Sequence, residues 1–165
     1  MNKNDMKMNI LRTLLLAVMA TVTCTAIGAN KLYIKSFAIH PGETKVVELY
    51  MQNDVDVRAV DMLVKLPEGL TLAAEQTRLT DREAGHAVSG RLTSRGYRVI
   101  AFSTDNAVFA GTDGPLMELT VTASDSFSKS GTITLQDIIM EDADGEAIVE
   151  MGTSTSEVYV AVPAN

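Results

Sequence analysis

From Leu32 onward, apolar residues recur at every second position, and clusters of Gly, Pro, Asp or Asn interrupt them at short intervals. A repeat of two puts alternate side chains on opposite faces of an extended chain. A helix would instead repeat its apolar residues about every 3.6 positions, so the pattern predicts strands joined by turns. Leu32, Ile34, Phe37 and Ile39 predict a first strand, stopped at His40-Pro41-Gly42-Glu43, where proline fixes φ and glycine accepts the turn. Thr44 to Gln52 predicts a second, with Val47, Leu49 and Met51 on an apolar face and Val46, Glu48 and Tyr50 on a mixed one. Val57 to Leu66 is the most apolar stretch and predicts a central strand. Val60, Met62, Val64 and Leu66 lie on one side of it, and Asp61, Leu63 and Lys65 on the other.

Pro67-Glu68-Gly69 turns the chain into Leu70-Thr71-Leu72, a short segment expected to plug one end of the core. Between Ala73 and Ala84, residues such as Ala74, Glu75, Gln76 and Arg82 have fair helix propensity, but no apolar stripe at helical spacing supports a stable helix. His86 to Leu92 and Tyr97 to Ser103 predict a hairpin around Thr93-Ser94-Arg95-Gly96, whose glycine suits a positive φ. Thr104 to Gly114 is irregular, with Val108 and Phe109 as inward anchors. Leu116 to Ala123 and Thr132 to Met140 alternate again. Asp144-Gly145 predicts a hairpin turn into Ala147, Ile148 and Val149, and Val158, Val160 and Val162 form the last strand. About nine strands without a long helix predict an all-β domain built as a two-sheet β-sandwich.

The start of the chain follows a different pattern. Lys3, Lys7 and Arg12 precede an apolar run from Leu14 to Ala20, which predicts an export signal over residues 1–28 and a single domain over 29–165. Thr21, Thr23 and Thr25 break the run well short of the roughly 20 apolar residues a membrane-spanning helix needs. Small residues at Ala26, Gly28 and Ala29 place the mature start near Ala29 or Asn30. A lipid anchor on Cys24 is the rival reading. Val22 and Thr23 before it suit lipoprotein processing poorly, which ranks the anchored form below a soluble one. Export implies a secreted or cell-envelope location, periplasmic or on the cell surface.

Loss of the leader removes Lys3, Lys7 and Arg12 against Asp5, leaving the domain more acidic than the net charge of −7 of the full chain. An acidic surface repels phosphate backbones and anionic lipid, which argues against nucleic acid and membrane-surface partners, and no membrane insertion of the mature domain is expected. Cys24 is the only cysteine, so the mature chain has neither a disulfide nor a thiolate site, and its stability must come from the core.

The order of segments resembles the cohesin and carbohydrate-binding-module superfamily, as found in secreted proteins of anaerobic polysaccharide-degrading bacteria. The residues that carry the resemblance are Leu32-Tyr33-Ile34, Pro41-Gly42-Glu43-Thr44, and the run from Val60 through Pro67-Glu68-Gly69 to Leu70. Tyr97-Arg98-Val99-Ile100-Ala101-Phe102-Ser103 and Thr132-Ile133-Thr134-Leu135-Gln136-Asp137-Ile138 complete them. The resemblance covers nearly the whole domain and implies a cohesin-like jelly-roll sandwich of about nine strands. Some members bind dockerin modules through one sheet face, and related modules bind polysaccharide. The matching positions look structural, so neither role transfers by motif.

No motif in the chain carries catalytic chemistry. His40 lies in a turn and His86 opens a strand, neither beside a nucleophile signature nor at metal-ligand spacing. Asp54 with Asp56, and Glu141 with Asp142, are neighbours on turns rather than carboxylates facing each other across a cleft. The domain is therefore not expected to be an enzyme, and no cofactor is implied. Calcium is the one candidate ligand: Asp142, Asp144 and Glu146 around Gly145 offer hard oxygens, without the ligand spacing of an EF-hand loop, and a plain hairpin turn accounts for the same residues. Sugar-binding sandwiches commonly stack exposed aromatic rings on pyranoses. This chain has no tryptophan, which leaves Tyr50 and Tyr97 as the candidate platform residues. Asp61, Leu63 and Lys65 are the candidate surface for a protein partner. The first reading is thus a secreted, non-catalytic recognition or adhesion module with an extracellular protein partner. A carbohydrate-binding module attaching to polysaccharide is the alternative, and a secreted hydrolase with an unrecognised site the third.

Overall fold

Strands with one apolar face must bury that face, and here two sheets bury theirs against each other. The computed structural model describes residues 30–162, so the expected leader, Cys24 and the cleavage region up to Ala29 lie outside the described residues. The strands are β1 (Lys31–Ile34), β2 (Phe37–Ile39), β3 (Thr44–Gln52), β4 (Val57–Lys65), β5 (Leu70–Leu72) and β6 (Arg78–Leu79), followed by β7 (Ala87–Thr93), β8 (Gly96–Phe102), β9 (Asp113–Ala123), β10 (Gly131–Asp142) and β11 (Ala147–Val160). One sheet runs β1-β3-β9-β5, with β6 also paired to β9; the other runs β2-β11-β10-β4-β8-β7. All pairings are antiparallel except that of β2 with β11.

The alternation read from the sequence is the alternation of burial. Val47, Leu49 and Met51 of β3 face Val60, Met62 and Val64 of β4 across the core, with Leu119 and Val121 from β9 and Ile133, Leu135 and Met140 from β10. Each such side chain contributes about 1.5–3 kcal/mol of burial. A domain without disulfides needs that contribution from every strand.

Besides the plug at Leu70–Leu72, which is itself a strand paired to β9, three features separate the eleven strands from the nine or so expected. The first predicted strand divides at Lys35-Ser36: β1 belongs to one sheet and β2 to the other. Ser156 Oγ donates to the Ile34 carbonyl and Glu157 N donates to Ser36 Oγ at 3.2 Å, so β11 guides this crossing. Second, the segments at Ala147 and Val158 form one continuous strand, β11, because the polar run Ser154-Thr155-Ser156 still pairs with β10. Third, the undecided stretch after Ala73 contains a short 3-10 turn (Ala74–Gln76) and β6, with no α-helix. The turn lies so close to β7 that a Cβ on Gly90 would come within 2.2 Å of the Ala74 carbonyl oxygen, so only glycine fits there.

Arg82, in the same stretch, closes one end of the sandwich. Its guanidinium is buried and donates from Nε to Ala110 O (2.5 Å), from Nη1 to Met51 O (2.7 Å) and Gly114 O (3.2 Å), and from Nη2 to Asn53 Oδ1 (2.8 Å) and Gly111 O (2.8 Å). All its acceptors are neutral. Burial therefore lowers the pKa of Arg82 from its usual value, an effect the charge of Asp113 partly opposes. A planar fork of donors joins the end of β3 to the irregular loop before β9, which has no regular backbone pairing of its own.

Arg82→Ala leaves these acceptors buried without their donors and should destabilise the fold by about 2–5 kcal/mol. Arg82→Lys should recover only a small part, because an ammonium cannot span the same acceptors. Urea unfolding measures both. An Arg82→Ala variant within about 0.5 kcal/mol of the parent would show that the clamp contributes nothing.

Candidate functional site

Burial of Val60, Met62 and Val64 turns Asp61, Leu63 and Lys65 toward the outer face of the six-stranded sheet. Register decides what stands beside them. On β8, Asp61 lies opposite Ile100 and Leu63 opposite Arg98; on β10, Gln136 flanks Leu63 and Ile139 flanks Asp61. One strand further out, Arg91 of β7 lies opposite Arg98, and Ala87 opposite the exposed Phe102. The result is an apolar strip through Ile139, Ile100 and Phe102, bordered by charge.

The charges are organised by ion pairs. Arg98 holds Asp61 with two donors, Nε at 3.0 Å and Nη2 closer still, and this hydrogen bonding raises the pKa of Arg98 from its usual value. Arg95 Nη2 meets Asp137 at 2.6 Å, and Arg58 Nη2 meets Glu141 at 3.3 Å. Around Asp61 and Leu63 the face sinks into a depression of about 340 Å³, walled by Arg91, Arg95, Arg98 and Asp137, with Ile139 and Met151 supplying apolar surface.

Two irregularities aim at this depression. In β10 the register against β4 shifts between Gln136 and Ile139, and Asp137 has a φ of 49°. In β11 the register shifts between the partners of Ile138 and Met140, and Met151 has a φ of 57° with 64% of its surface exposed. Bulges insert an extra residue and re-aim side chains. A positive φ costs an ordinary L-residue roughly 1–2 kcal/mol. Both strained residues line the same hollow, and strain of this kind persists only where the surrounding structure enforces it.

The predicted surface residues divide accordingly. Asp61 and Lys65 do face outward, with Asp61 engaged by Arg98. Leu63 corrects the expectation of an exposed mixed face: it is only 5% exposed, lying between Gln136 and Arg98. Tyr97 is not a platform residue either, because its register partner is the inward Val64 and its ring packs against the core. Tyr50 lies on the other sheet. Its ring stacks on Tyr33 with centroids 5.4 Å apart, the Lys35 ammonium sits 3.9 Å from its centroid, and its hydroxyl donates to Glu48. The two tyrosines therefore share no surface, and the Tyr50 ring already has its contacts.

The candidate calcium ligands form a turn. Asp142 Oδ1 accepts from the amides of Asp144 (3.0 Å) and Glu146 (2.9 Å), while Gly145, at φ 87°, donates to the Asp142 carbonyl. One carboxylate is thus used in shaping the backbone. Among the described residues no group of three His, Cys, Asp or Glu side chains is placed to hold a metal ion, and the hairpin turn accounts for the hydrogen bonds of Asp142.

The histidines are structural in their surroundings. His40 is exposed in its turn, its amide donating to Glu43 Oε2 at 2.7 Å. His86 is buried and stacks on Phe109, with Nε2 2.9 Å from the Arg58 carbonyl oxygen and Nδ1 against that of Glu83.

Arg91, Arg95, Arg98, Asp137, Ile139 and Met151 were not singled out from the sequence. Part of the signal is present there. A two-residue hairpin loop at Ser94-Arg95 forces Arg91 and Arg98 into register on one face, and two successive polar residues, Gln136-Asp137, break the alternation of β10 and mark its bulge. Nothing comparable marks Met151.

Asp142→Ala should cost the hairpin about 1 kcal/mol, and Asp142→Asn much less, since the amide oxygen can still accept. Thermal unfolding with added calcium and then with chelator should give the same midpoint; a midpoint raised by calcium and restored by chelator would reinstate the metal site.

No protein-family model and no curated protein sequence matches the chain. Solved structures do. A non-cellulosomal cohesin from the hyperthermophilic archaeon Archaeoglobus fulgidus superposes with a TM-score of 0.61 at 16% identity, over 78% of this chain and 90% of that one. The sixth cohesin of scaffoldin B from Acetivibrio cellulolyticus, solved in complex with a dockerin, gives 0.62 at 14% identity, over 80% and 99%. A cohesin module from a family 33 glycoside hydrolase of Clostridium perfringens gives 0.61 at 15% identity, over 81% and 99%. The expected jelly-roll sandwich is therefore the one observed: the chain has the fold of a cohesin.

Proposed function

We propose that this protein is an exported, non-catalytic recognition module that binds another extracellular protein through the outer face of its six-stranded sheet. The observation that carries the reading is the hollow between β4, β8 and β10, where ion-paired side chains border apolar ones and two residues at positive φ supply the lining. Protein interfaces use this mixture of an apolar centre with a charged border, and sheet faces present it without large rearrangement. Neighbours of the same fold, solved as cohesin–dockerin complexes, support a protein rather than a glycan as the partner. The engaged ring of Tyr50 and the inward ring of Tyr97 weaken the polysaccharide alternative. Among the described residues no helix is long and apolar enough to cross a membrane. The charged start and broken apolar run before Ala29 support export, with cleavage near Ala29 or Asn30.

The immobilised protein should capture a surface protein from its own cells, and the capture should fall at least about tenfold with Phe102→Asp combined with Met151→Asp while surviving Tyr50→Ala. Intact mass of the secreted product should correspond to a start near Ala29 or Asn30. Capture that persists in the double variant would remove the face from consideration. Retention on insoluble polysaccharide, abolished by Tyr50→Ala, would replace the protein partner with a glycan, and a product acylated at Cys24 would replace the soluble form with an anchored one.

A further inference from the structure

The proposed face has a charge imbalance that specifies more than its location, and the following rests on the reading of that face as a protein-binding surface. Arg91 and Arg98 stand directly opposite each other across the β7–β8 ladder. Like charges in that position repel and destabilise the pairing. Arg98 is neutralised by Asp61 and Arg95 by Asp137, but among the described residues Arg91 has no carboxylate within ion-pair distance. The walls of the hollow therefore hold Arg91, Arg95 and Arg98 against two carboxylates that are both already paired. In a chain of net charge −7, this is a cationic spot set in an acidic surface.

We infer that the partner presents a carboxylate side chain next to an aliphatic one, the carboxylate taken by Arg91 at its junction with Arg98 and the aliphatic group set on Ile139 and Met151. Guanidinium forks bind carboxylates with directed hydrogen bonds, and an anion there removes the repulsion that the Arg91–Arg98 pairing carries. The apolar lining separates this ligand from a purely anionic one: Ile139 and the exposed thioether of Met151 offer nothing to a sulfated or carboxylated glycan, but they suit Leu, Ile, Val or Met. The acidic remainder of the domain repels an extended polyanion and leaves a short acidic segment as the matching shape of charge.

A randomised peptide library displayed on phage, selected on the folded protein, tests this. Selected sequences should be enriched in Asp or Glu adjacent to an aliphatic residue, and their binding should weaken as salt rises. Arg91→Glu, an exposed substitution with no side-chain hydrogen bond or ion pair to lose among the described residues, should weaken them about tenfold or more and, when used as the bait, shift the selection toward Lys and Arg. Peptides that lack an acidic bias yet lose binding on Met151→Asp would overturn this inference while leaving the face intact as the interface. Peptides indifferent to both Arg91→Glu and Met151→Asp would overturn both, as would a selection that enriches nothing. Binding to dextran sulfate or polygalacturonate that disappears on Arg91→Glu would assign the spot to an anionic glycan instead.

Discussion

The core of this domain is made by strands that each have only one apolar face, and the two sheets must bury those faces together because no disulfide assists them. The rest of the structure follows from that constraint. Inward positions such as Leu49, Met62, Leu119 and Leu135 are committed to packing, so chemistry is confined to outward positions and to the loops at the two ends. Even the outward positions are not uniformly wet. Leu63 points away from the core and is still covered, because Arg98 lies across from it and reaches toward Asp61. A long side chain tied down by a bidentate ion pair shields apolar surface beneath it, and the outer face thereby gains a fixed relief.

The ends of the sandwich meet a different difficulty. Loops there cannot use the ladder bonds of a sheet, yet their carbonyls approach the core. Arg82 answers this with one buried guanidinium that serves Met51, Asn53, Ala110, Gly111 and Gly114 together, and His86 fills a similar role between Glu83 and Arg58 while stacking on Phe109. Both residues come from the stretch just before β7. The long connection before β9 is thereby held to the frame, and β7 begins directly after His86.

Period-two alternation was legible wherever one strand face is buried and the other is wet, which covers β3, β4 and β8 to β10 with their turns. It was blind to which sheet a strand joins: nothing in Leu32 to Ile39 announces that Ile34 and Ile39 lie in different sheets, because both are simply buried. Continuity failed for a related reason, since the polar middle of β11 is held by backbone pairing, to which side-chain polarity is indifferent. Alternation gave the outward facing of Asp61 and Lys65, whereas the exposure of Leu63 and Tyr97 was misjudged because it depends on what covers a residue as well as on its parity. Arg82 was invisible because four of its five acceptors are backbone carbonyls, and every sequence has those.

The bulges connect the fold to the proposed binding face most directly. A regular β10 would keep strict alternation and carry Asp137 out of register with its neighbours; the register shift places it instead beside Arg95, at the rim of the hollow. The matching irregularity in β11 delivers Met151 to the same rim. Each lies at a positive φ that a non-glycine residue adopts at a cost, and is the one residue of its strand that does so. Packing alone gives no reason for two such positions to converge, since neither residue contributes to the buried core. A relief built from enforced backbone geometry stays in place before a ligand arrives, and binding to it does not have to order it first. That makes a hollow lined without aromatic side chains a feasible recognition surface: its area is modest, but little conformational freedom remains to be lost on association.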